Sequence, residues 1–252
     1  LAVSRYLPEP AETIEWRDSD VALLGQLIGD GSYLKGQPLR YSTASEENSR
    51  VVEEGAVALG STVKRYAGRG SWHQLLIGNN GNRWQAQGVG GWLKELGIFG
   101  QRSHEKRIPA DVFRLSNRQI ALLLRHLWAA DGCIHIRKPG QKGSNTVYFA
   151  TNSEGLARDV AALPLTLEIY TRTRTVSKEG YKDVNQVFVS GSVHQKRFLE
   201  TVGTFGPRVE PGERLARFLD TVPVSTNVDT LPVEIFDQVK ATMKRRGVTY
   251  RQ

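Results

Sequence analysis

Two apolar stretches of the chain share one hydrophobic pattern and one ending. Residues 22–31 read Ala-Leu-Leu-Gly-Gln-Leu-Ile-Gly-Asp-Gly, and residues 123–132 read Leu-Leu-Arg-His-Leu-Trp-Ala-Ala-Asp-Gly. Their length and apolar content predict a buried helix in each stretch. Each helix is predicted to end at Asp-Gly, where glycine suits the left-handed conformation that commonly follows a helix. Asp30 and Asp131 therefore terminate two similar helices.

The similarity between the two stretches continues downstream in the same order. Residues 40–46 resemble residues 148–154, and residues 92–100 resemble residues 198–206. The offsets between the matched segments are nearly constant, and loop insertions account for the small differences. The chain therefore contains an internal repeat of roughly 100 residues.

Each half of the repeat predicts the same succession of elements. Polar and apolar residues alternate after each Asp-Gly, which predicts a hairpin, and Ser45 and Ser153 are predicted N-caps of the helices that follow. A second hairpin and a closing helix complete each half, at residues 61–77 and 89–96 and at residues 166–189 and 193–202. The predicted fold is α+β, with two pseudo-symmetric αββαββα subdomains in one chain.

The repeat also predicts the domain boundaries. The four predicted parts are residues 1–19, 20–117, 118–222 and 223–252. The first is expected to be an N-terminal extension that wraps the first subdomain, and the two middle parts are the subdomains. The last part is expected to be a helical tail with a helix at residues 233–245 and a turn at Gly247. A plain C-terminal helix is the simpler interpretation of this tail, and the start of a helix-turn-helix is the alternative.

Small residues lie where the two apolar helices can meet. Gly25 and Gly29 are four residues apart and therefore share one face of the first helix. In the second helix Ala130 matches Gly29, whereas His126 matches Gly25. Because a face of small residues lets another backbone approach closely, we expect the helices to pack together. Their C-termini, and the two terminal aspartates, would then converge.

Two carboxylates at the negative ends of two helices are unfavourable unless cations compensate them. Mg²⁺ prefers oxygen ligands and binds proteins through one or two carboxylates together with substrate phosphates. Metals beside a scissile phosphate stabilise both the attacking and the leaving oxygen. One isolated Asp-Gly is best interpreted as a helix stop. Two that match within a repeat, as Asp30 and Asp131 do, predict a divalent-metal site.

Composition and charge narrow the class of partner. The chain has 252 residues, 39% of them hydrophobic, which is enough for a globular core. It contains no apolar run of about 18 residues, so no transmembrane helix is expected, and residues 1–6 do not have the basic-then-apolar layout that would predict a secretion signal. A net charge of +8 suits a polyanionic partner, although charge alone also fits a merely basic enzyme. The single cysteine, Cys133, cannot form an internal disulfide, so we expect a cytoplasmic protein.

The aspartate segments resemble the motif of the LAGLIDADG homing endonucleases. Residues 23–31 fit this motif closely and residues 124–132 fit it more loosely. Residues 104–109, His-Glu-Lys-Arg-Ile-Pro, resemble a block found in inteins that carry such a nuclease. The amino-acid sequences of residues 4–8 and 99–106 resemble those of inteins in actinobacterial (mycobacterial) DnaB replicative helicases. The similarity covers nearly the whole chain, from about residue 20 to about residue 220.

This resemblance implies a fold, a reaction and a set of site residues. It implies a monomeric hydrolase in which two curved antiparallel sheets form a saddle over double-stranded DNA. Asp30 and Asp131 would bind Mg²⁺, with Mn²⁺ or Ca²⁺ able to substitute for binding, and Lys106 would support the activated water. The backbone carbonyls of Gly29 and Ala130 are further candidate metal ligands. Cleavage at a long asymmetric site would leave 3′ overhangs.

The resemblance also implies a target and a location. The expected target is the intein-free helicase gene, which the protein would meet in the cytoplasm, at the nucleoid when it is bound to DNA. Inteins splice through particular terminal residues. This chain begins at Leu1 and ends at Arg251 and Gln252. We therefore expect a nuclease domain taken from an intein, or a freestanding relative, that does not splice.

The second half departs from the family pattern at its basic residue. No lysine follows Phe205-Gly206-Pro207 at the place that matches Lys106, and the candidates there are Arg208 and Arg214. One DNA strand is therefore expected to be cut faster than the other. The missing lysine also favours an alternative function, a DNA- or RNA-binding module without cleavage, such as a maturase or a decayed nuclease. Retention of both motif aspartates favours the enzyme.

A third class, an ordinary basic metabolic enzyme, would need a nucleotide or cofactor motif. The glycines at residues 88–91 lack the preceding strand and the spacing of a phosphate-binding loop. The sequence therefore leaves the nuclease and the binding module as the two hypotheses.

Strand alternation predicts the surface that reads DNA. Arg172 and Arg174 are two residues apart and share one face of a strand, as do His135 and Arg137. Such side chains can read base edges, although many basic residues contact only phosphate. For any single residue a solvated face is the simpler interpretation, but together they predict one basic sheet face. The predicted DNA-binding residues are Arg40, Lys64, Tyr66, Arg69, Trp72, His73, Gln74, His135, Arg137, Lys138, Tyr170, Arg172, Arg174, Lys178 and Lys182.

Overall fold

The order of helices and strands repeats along the chain. A computed structural model describes residues 6–82, 84–138, 140, 143–177, 179–180, 182–222 and 233–248. The first half comprises α1 (Asp18–Asp30), β1 (Gly31–Ser32), β2 (Leu39–Thr43), α2 (Glu46–Ala58), β3 (Thr62–Ala67), β4 (His73–Gly78) and α3 (Gly88–Glu95). The second comprises α4 (Asn117–Asp131), β5 (Gly132–His135), β6 (Thr146–Thr151), α5 (Glu154–Ala162), β7 (Thr171–Val176), β8 (Val184–Val189) and α6 (Gly191–Thr201). The predicted order αββαββα therefore occurs twice.

In the described part of the chain, two further α-helices follow the repeat. The sequence did not predict α7 (Val209–Leu219), whereas α8 (Val233–Arg246) lies where a tail helix was expected. The chain divides into two compact units, and α8 belongs to the smaller one, separate from Arg5–Val222. Residues 249–252 lie outside the described residues, so the predicted start of a helix-turn-helix is not tested. No helix of the described segments is long and apolar enough to cross a lipid bilayer.

One four-stranded antiparallel sheet forms the centre of each half. The strand orders are β1-β2-β4-β3 and β5-β6-β8-β7, so the two sheets have the same topology. In the first sheet Tyr41 of β2 pairs with Leu75 of β4, and in the second Phe149 of β6 pairs with Val187 of β8. All four side chains are buried. They mark the helix-covered face of each sheet and leave the residues between them on the opposite face.

Serine side chains begin the middle helix of each half, as predicted. The Ser45 hydroxyl accepts a hydrogen bond from the backbone N–H of Asn48 at 3.2 Å at the start of α2. The Ser153 hydroxyl accepts one from the backbone N–H of Leu156 at 3.1 Å at the start of α5. Each serine satisfies a donor that the first turn of a helix leaves unpaired.

Helices α1 and α4 pack against each other at very close range. A Cβ atom built on Gly25 would lie 2.8 Å from the carbonyl oxygen of Leu123 and 2.9 Å from the Cβ of His126. A Cβ built on Gly29 would overlap the Cβ of Ala130. The predicted contact between small-residue faces is confirmed, and only glycine fits at both positions of α1.

The glycines that follow the two helices are not left-handed, so that prediction was wrong. Gly31 has φ −77° and Gly132 has φ −81°, both in extended conformation. A Cβ on Gly31 would overlap the carbonyl of Leu27, and one on Gly132 would lie 2.5 Å from the carbonyl oxygen of Trp128. Glycine is needed here because the chain passes so close to the preceding helical turn as it enters the strand.

The described part of the N-terminal extension contacts the second half as well as the first. The ring of Trp16 lies 6.0 Å from that of Trp92 in α3 of the first half. In the second half, however, the backbone N–H of Leu7 donates to the carbonyl of Leu165, and the Trp16 backbone exchanges hydrogen bonds with Gln119 of α4. The extension therefore helps to join the two halves.

Candidate functional site

The two aspartates lie together at the end of the central helix pair. Asp30 is the last residue of α1 and Asp131 the last residue of α4. The close contact of Gly29 with Ala130, one residue earlier, brings the two ends together. A Cβ built on Gly29 would also lie 3.7 Å from the backbone nitrogen of Asp131. The predicted convergence of the two helix ends is confirmed.

Both carboxyl groups are harder to ionise than an ordinary aspartate. Desolvation and then repulsion by Asp131 raise the pKa of Asp30 to about 6. Desolvation also raises the pKa of Asp131, because protein surrounds its carboxyl group closely even though the side chain reaches solvent. The cations Lys106 and Arg208 oppose both shifts. A pair of carboxylates in this state gains from a divalent cation, because the cation offsets both desolvation and repulsion.

Lys106 caps the C-terminus of α1. Its ammonium Nζ donates to the carbonyl oxygens of Ile28 at 2.8 Å, Gly29 at 2.6 Å and Gly31 at 2.9 Å. Carbonyls in the last turn of a helix have no partner within the helix, and a cation there also complements the helix dipole. The side chain is only 8% exposed. Burial lowers the pKa of Lys106 to about 8, against the opposing charges of Asp131 and Asp30.

Arg208 performs the same capping role on α4. Its guanidinium donates to the carbonyl oxygens of Trp128 at 3.3 Å and Ala130 at 3.1 Å. Because Ala130 corresponds to Gly29 in the repeat, each basic residue binds the carbonyl that precedes the aspartate of its own half. Of the two arginines that the sequence left open, the structure brings Arg208 to the site, whereas Arg214 pairs with Glu210 on α7.

The donor atoms of this site fit a hard divalent cation. They are the carboxylates of Asp30 and Asp131 and, one residue before each, the carbonyls of Gly29 and Ala130. No cluster of three or more His, Cys, Asp or Glu side chains occurs in the part of the chain that the structure describes. A cation held here would therefore complete its coordination with water and with oxygens of a substrate, as Mg²⁺ commonly does. Each carbonyl already accepts one hydrogen bond and has a second lone pair.

A buried polar chain joins the helices behind the aspartates. The hydroxyl of Tyr41 donates to Oε1 of Gln26 at 2.6 Å, and the Gln26 amide lies 3.2 Å from Nδ1 of His126. Burial, together with Arg125, lowers the pKa of His126 to about 4, so its ring is neutral near pH 7. The ring packs 4.6 Å from that of Phe205. His126 therefore acts as a satisfied core residue that joins the halves.

The first sheet carries most of its predicted DNA-binding side chains on the face away from the helices. Lys64 and Arg40 both pair with Leu76 of β4, and Tyr66 pairs with Gln74. The intervening β4 residues are buried against the helices, so these four predicted residues, Arg40, Lys64, Tyr66 and Gln74, share the opposite face.

The second sheet has the same arrangement of strands, but its face away from the helices carries different types of side chain. Arg172 of β7 pairs with Phe188 of β8, and Phe188 also pairs with Tyr148 of β6. The Tyr148 and Phe188 rings lie 5.1 Å apart. Arg174 and His135 lie on the same face, which is aromatic at its centre and basic toward its edges.

Five other predicted residues lie in connections between strands. Arg69 and Trp72 are exposed in the turn between β3 and β4, where the backbone N–H of Gly68 donates to the carbonyl of Trp72. Arg137 and Lys138 are exposed just after β5, and Lys182 is exposed in the connection from β7 to β8. Lys178 lies outside the described residues.

Two predicted DNA-binding residues are placed differently from the prediction. His73 is buried on the helix-covered face, where its Nε2 is hydrogen-bonded to the hydroxyl of Ser49 in α2. Tyr170 lies just before β7, and its ring packs 6.2 Å from that of His194 in α6. Successive strand residues point to opposite faces, so His73 cannot share a face with its neighbour Gln74.

Comparison with known proteins identifies the fold. Residues 118–203 match the family model of the LAGLIDADG-like domain. The structure resembles that of mesophilic variants of the homing endonuclease I-DmoI, with 13% identity and a TM-score of 0.50 over 74% of this chain and 95% of that one. It also resembles full-length DUF199/WhiA from Thermatoga maritima, with 13% identity and a TM-score of 0.51 over 93% of this chain and 70% of that one. The chain contains two LAGLIDADG-like repeats.

The chain also has relatives in sequence. It is 38% identical to the replicative DNA helicase DnaB of Rhodothermus marinus, over 100% of this chain and 27% of that protein. It is 32% identical to DnaB of Synechocystis sp., over 93% of this chain and 28% of that protein. The chain thus spans little more than a quarter of the length of these relatives. The similarity to DnaB is confirmed, whereas an actinobacterial intein origin stays a prediction.

Proposed function

We propose that this chain is a site-specific, divalent-metal-dependent endonuclease of double-stranded DNA. The observation that carries the proposal is the pairing of Asp30 with Asp131 at the abutting ends of α1 and α4, each beside a basic residue. Two carboxylates that repel each other at the negative ends of two helices are costly without a cation. The electrostatics therefore favour a function that requires a bound cation.

The residues of the site would have different chemical roles. Asp30 and Asp131, with the carbonyls of Gly29 and Ala130, would hold Mg²⁺, with Mn²⁺ or Ca²⁺ as substitutes in binding. When bound, the metal supplies positive charge at the scissile phosphate and a more acidic water. Burial lowers the pKa of Lys106 to about 8, so its amine would exchange a proton with a water near neutral pH once it leaves one of the three carbonyls that it now caps.

The second basic residue differs from the first in its proton chemistry. An arginine side chain supplies positive charge and several fixed N–H donors, so the role open to Arg208 is charge compensation and orientation. The two halves are therefore expected to act on the two DNA strands at unequal rates. This inequality follows from the chain's own Lys106 and Arg208, whatever the identity of the metal.

The two sheet faces suit an asymmetric DNA target. The face with Arg40, Lys64 and Gln74 is polar, whereas that with Arg172 and Arg174 surrounds an aromatic centre. Arginine reads guanine and apolar groups contact the thymine methyl, so the halves would prefer different bases. We propose a monomer, with halves at residues 20–117 and 118–222, that leaves 3′ overhangs. Because the chain matches part of DnaB, we propose a helicase gene without this segment as its target.

A second candidate function is DNA binding without cleavage. It is favoured by the hydrogen bonds that the two candidate carbonyl ligands already accept. Lys106 donates to the carbonyl of Gly29, and Arg208 donates to the carbonyl of Ala130. In such a protein the two basic residues, rather than a metal, would compensate the aspartates.

One assay separates these functions. The protein is incubated with a plasmid that carries an uninterrupted DnaB gene, in Mg²⁺ and then in EDTA. The proposal expects linear product in Mg²⁺ only, and none with Asp30→Asn or Asp131→Asn. Sequence-specific binding without a cut in Mg²⁺ or Mn²⁺ would support the second candidate and contradict the first.

A further inference from the structure

The backbone that carries Lys106 is fastened to the other half of the protein. Lys106 follows α3 in the link between the halves, yet its carbonyl oxygen accepts a hydrogen bond from the hydroxyl of Ser153 at 2.8 Å. Ser153 is also the N-cap of α5 in the second half. The backbone of Lys106, whose side chain caps α1, is therefore hydrogen-bonded to the start of a helix in the opposite half.

Asp159 of α5 holds the next two residues of this link. Its carboxylate accepts two hydrogen bonds from the guanidinium of Arg107, at 2.7 and 2.8 Å, and one from the backbone N–H of Ile108 at 3.0 Å. Asp159 is only 7% exposed. Charge-assisted bidentate pairs fix geometry strongly, and a buried carboxylate that loses its partner is costly.

Close packing reinforces this attachment. A Cβ on Gly155, in the first turn of α5, would lie 2.5 Å from Cδ of Arg107. The Arg107 side chain therefore crosses directly over the helix on its way to Asp159. The backbone from Lys106 to Ile108 is fixed on both sides of Arg107, which limits where the Lys106 side chain can begin.

The corresponding segment of the second half is attached differently. Gly206, two residues before Arg208, has φ +53°, and a Cβ there would lie 2.6 Å from Oδ1 of Asn48 in α2. This segment thus also packs against the middle helix of the opposite half. Within the described residues, however, the contacts between it and α2 include no ion pair, and Oδ1 of Asn48 has no hydrogen-bond partner. In the part of the chain that the structure describes, a buried carboxylate holds the Lys106 segment and none holds the Arg208 segment.

We propose that Asp159 is a positioning residue for Lys106, so that the second half sets the geometry of the basic group of the first. Asp159 acts through Arg107 and the backbone of Ile108, with Ser153 as a second attachment. The predicted effect of Asp159 on DNA cleavage rests on the proposed nuclease function. Its predicted effect on the position of Lys106 does not, and that effect can be tested without DNA or metal.

The first test measures how accessible the Lys106 amine is. Reductive methylation of the metal-free protein, followed by mass spectrometry, gives the reaction rate of each lysine. Lys106 should react slowly in the wild type and about tenfold faster in Asp159→Asn and in Arg107→Gln, because the link opens more often. The control is Glu154→Gln, which removes an exposed ion pair with Arg158 on the same helix and should leave the Lys106 rate unchanged.

The second test measures the two DNA strands separately. Asp159→Asn should slow the same strand as Lys106→Met, and the double variant should be no slower on that strand than Lys106→Met alone. Because Asp159 belongs to the second half, general damage to that half would instead weaken DNA binding or slow both strands.

The outcomes are distinguishable. An unchanged Lys106 methylation rate in a folded Arg107→Gln or Asp159→Asn protein overturns the positioning proposal, whether or not the protein cuts DNA. Faster methylation in the variants, together with a wild type that cuts no target DNA in Mg²⁺ or Mn²⁺, supports positioning and contradicts the nuclease function. Arg107→Gln keeps the test valid if Asp159→Asn fails to fold, because the Arg107 side chain is largely exposed.

Discussion

The carbonyl oxygen of Gly29 accepts a hydrogen bond from Nζ of Lys106 at 2.6 Å. The matching carbonyl, that of Ala130, accepts one from the guanidinium of Arg208. The backbone at the site is therefore nearly symmetric, while the cations that contact it are chemically different. A lysine with a pKa of about 8 and an arginine give the two halves different proton chemistry around similar aspartates.

Gly29→Ala should destabilise the protein because the new methyl group would overlap the Cβ of Ala130. Overpacking of this kind costs about 1–3 kcal/mol, partly offset by the better helix propensity of alanine. The free energy of unfolding, from urea denaturation, measures the loss. The matched control is Gly29→Ala with Ala130→Gly, which removes the overlapping atom and should recover most of the stability. A double variant as unstable as the single one would contradict the proposed contact.

Asp30→Asn should stabilise the metal-free protein at neutral and higher pH. The pKa of Asp30 is raised from 3.8 to about 6 in the folded state, so folding favours the protonated form. Wild-type stability therefore falls as pH rises from about 4 to about 6 and then levels off. The amide cannot ionise, so the variant should gain about 1–3 kcal/mol above pH 6 and little near pH 4. Urea denaturation between pH 4.5 and 8 measures this difference.

Mg²⁺ provides the companion measurement. The ion should raise the melting temperature of the wild type at pH 8 and raise that of Asp30→Asn much less, because ligand binding to the folded state stabilises it. Asp111→Asn, at an exposed aspartate in the link between α3 and α4, serves as control and should behave as the wild type. Equal Mg²⁺ effects in all three proteins would contradict a metal site at Asp30.

Arg172→Gln with Arg174→Gln should weaken DNA binding and reduce its dependence on salt. If each arginine contacts a phosphate, the slope of log affinity against log salt concentration should fall in magnitude by about two. The control removes the same charge from α7 through Arg214→Gln with Arg217→Gln, where each arginine pairs with a glutamate of its own helix. Affinity titrations at several salt concentrations measure both slopes. Similar losses in the two double variants would indicate a general charge effect rather than contact with the sheet.

Local sequence patterns predicted the helix contact at the site and the starts of the helices around it. The four-residue spacing of Gly25 and Gly29 predicted the helix contact, because it places both on one face of α1. Ser45 and Ser153 predicted the helix starts, because a serine hydroxyl can satisfy an unpaired N–H there. These features depend on residues that are close together in the chain, and the repeat shows the same local pattern twice.

Features that depend on strand parity or on tertiary contacts were not predicted. The turn ends at Trp72, and β4 begins at His73, so His73 faces the helices although both its neighbours were expected to face DNA. Arg208 and Arg214 follow the same Phe-Gly-Pro segment, and only the contact with α4 distinguishes them. Helix α7 was not predicted, although Pro211 lies within its first turn, where proline is tolerated.

Strand-resolved cleavage kinetics test the central claim most directly. A duplex carrying the target, with a different label on each strand, is cut in Mg²⁺ by the wild type, Lys106→Met and Arg208→Met. We predict that the wild type accumulates a nicked intermediate and that each variant slows a different strand, with Lys106→Met losing about 10²-fold on its strand. Equal slowing of both strands by either variant, or cleavage that persists in EDTA, would contradict a metal-dependent double site with unequal halves.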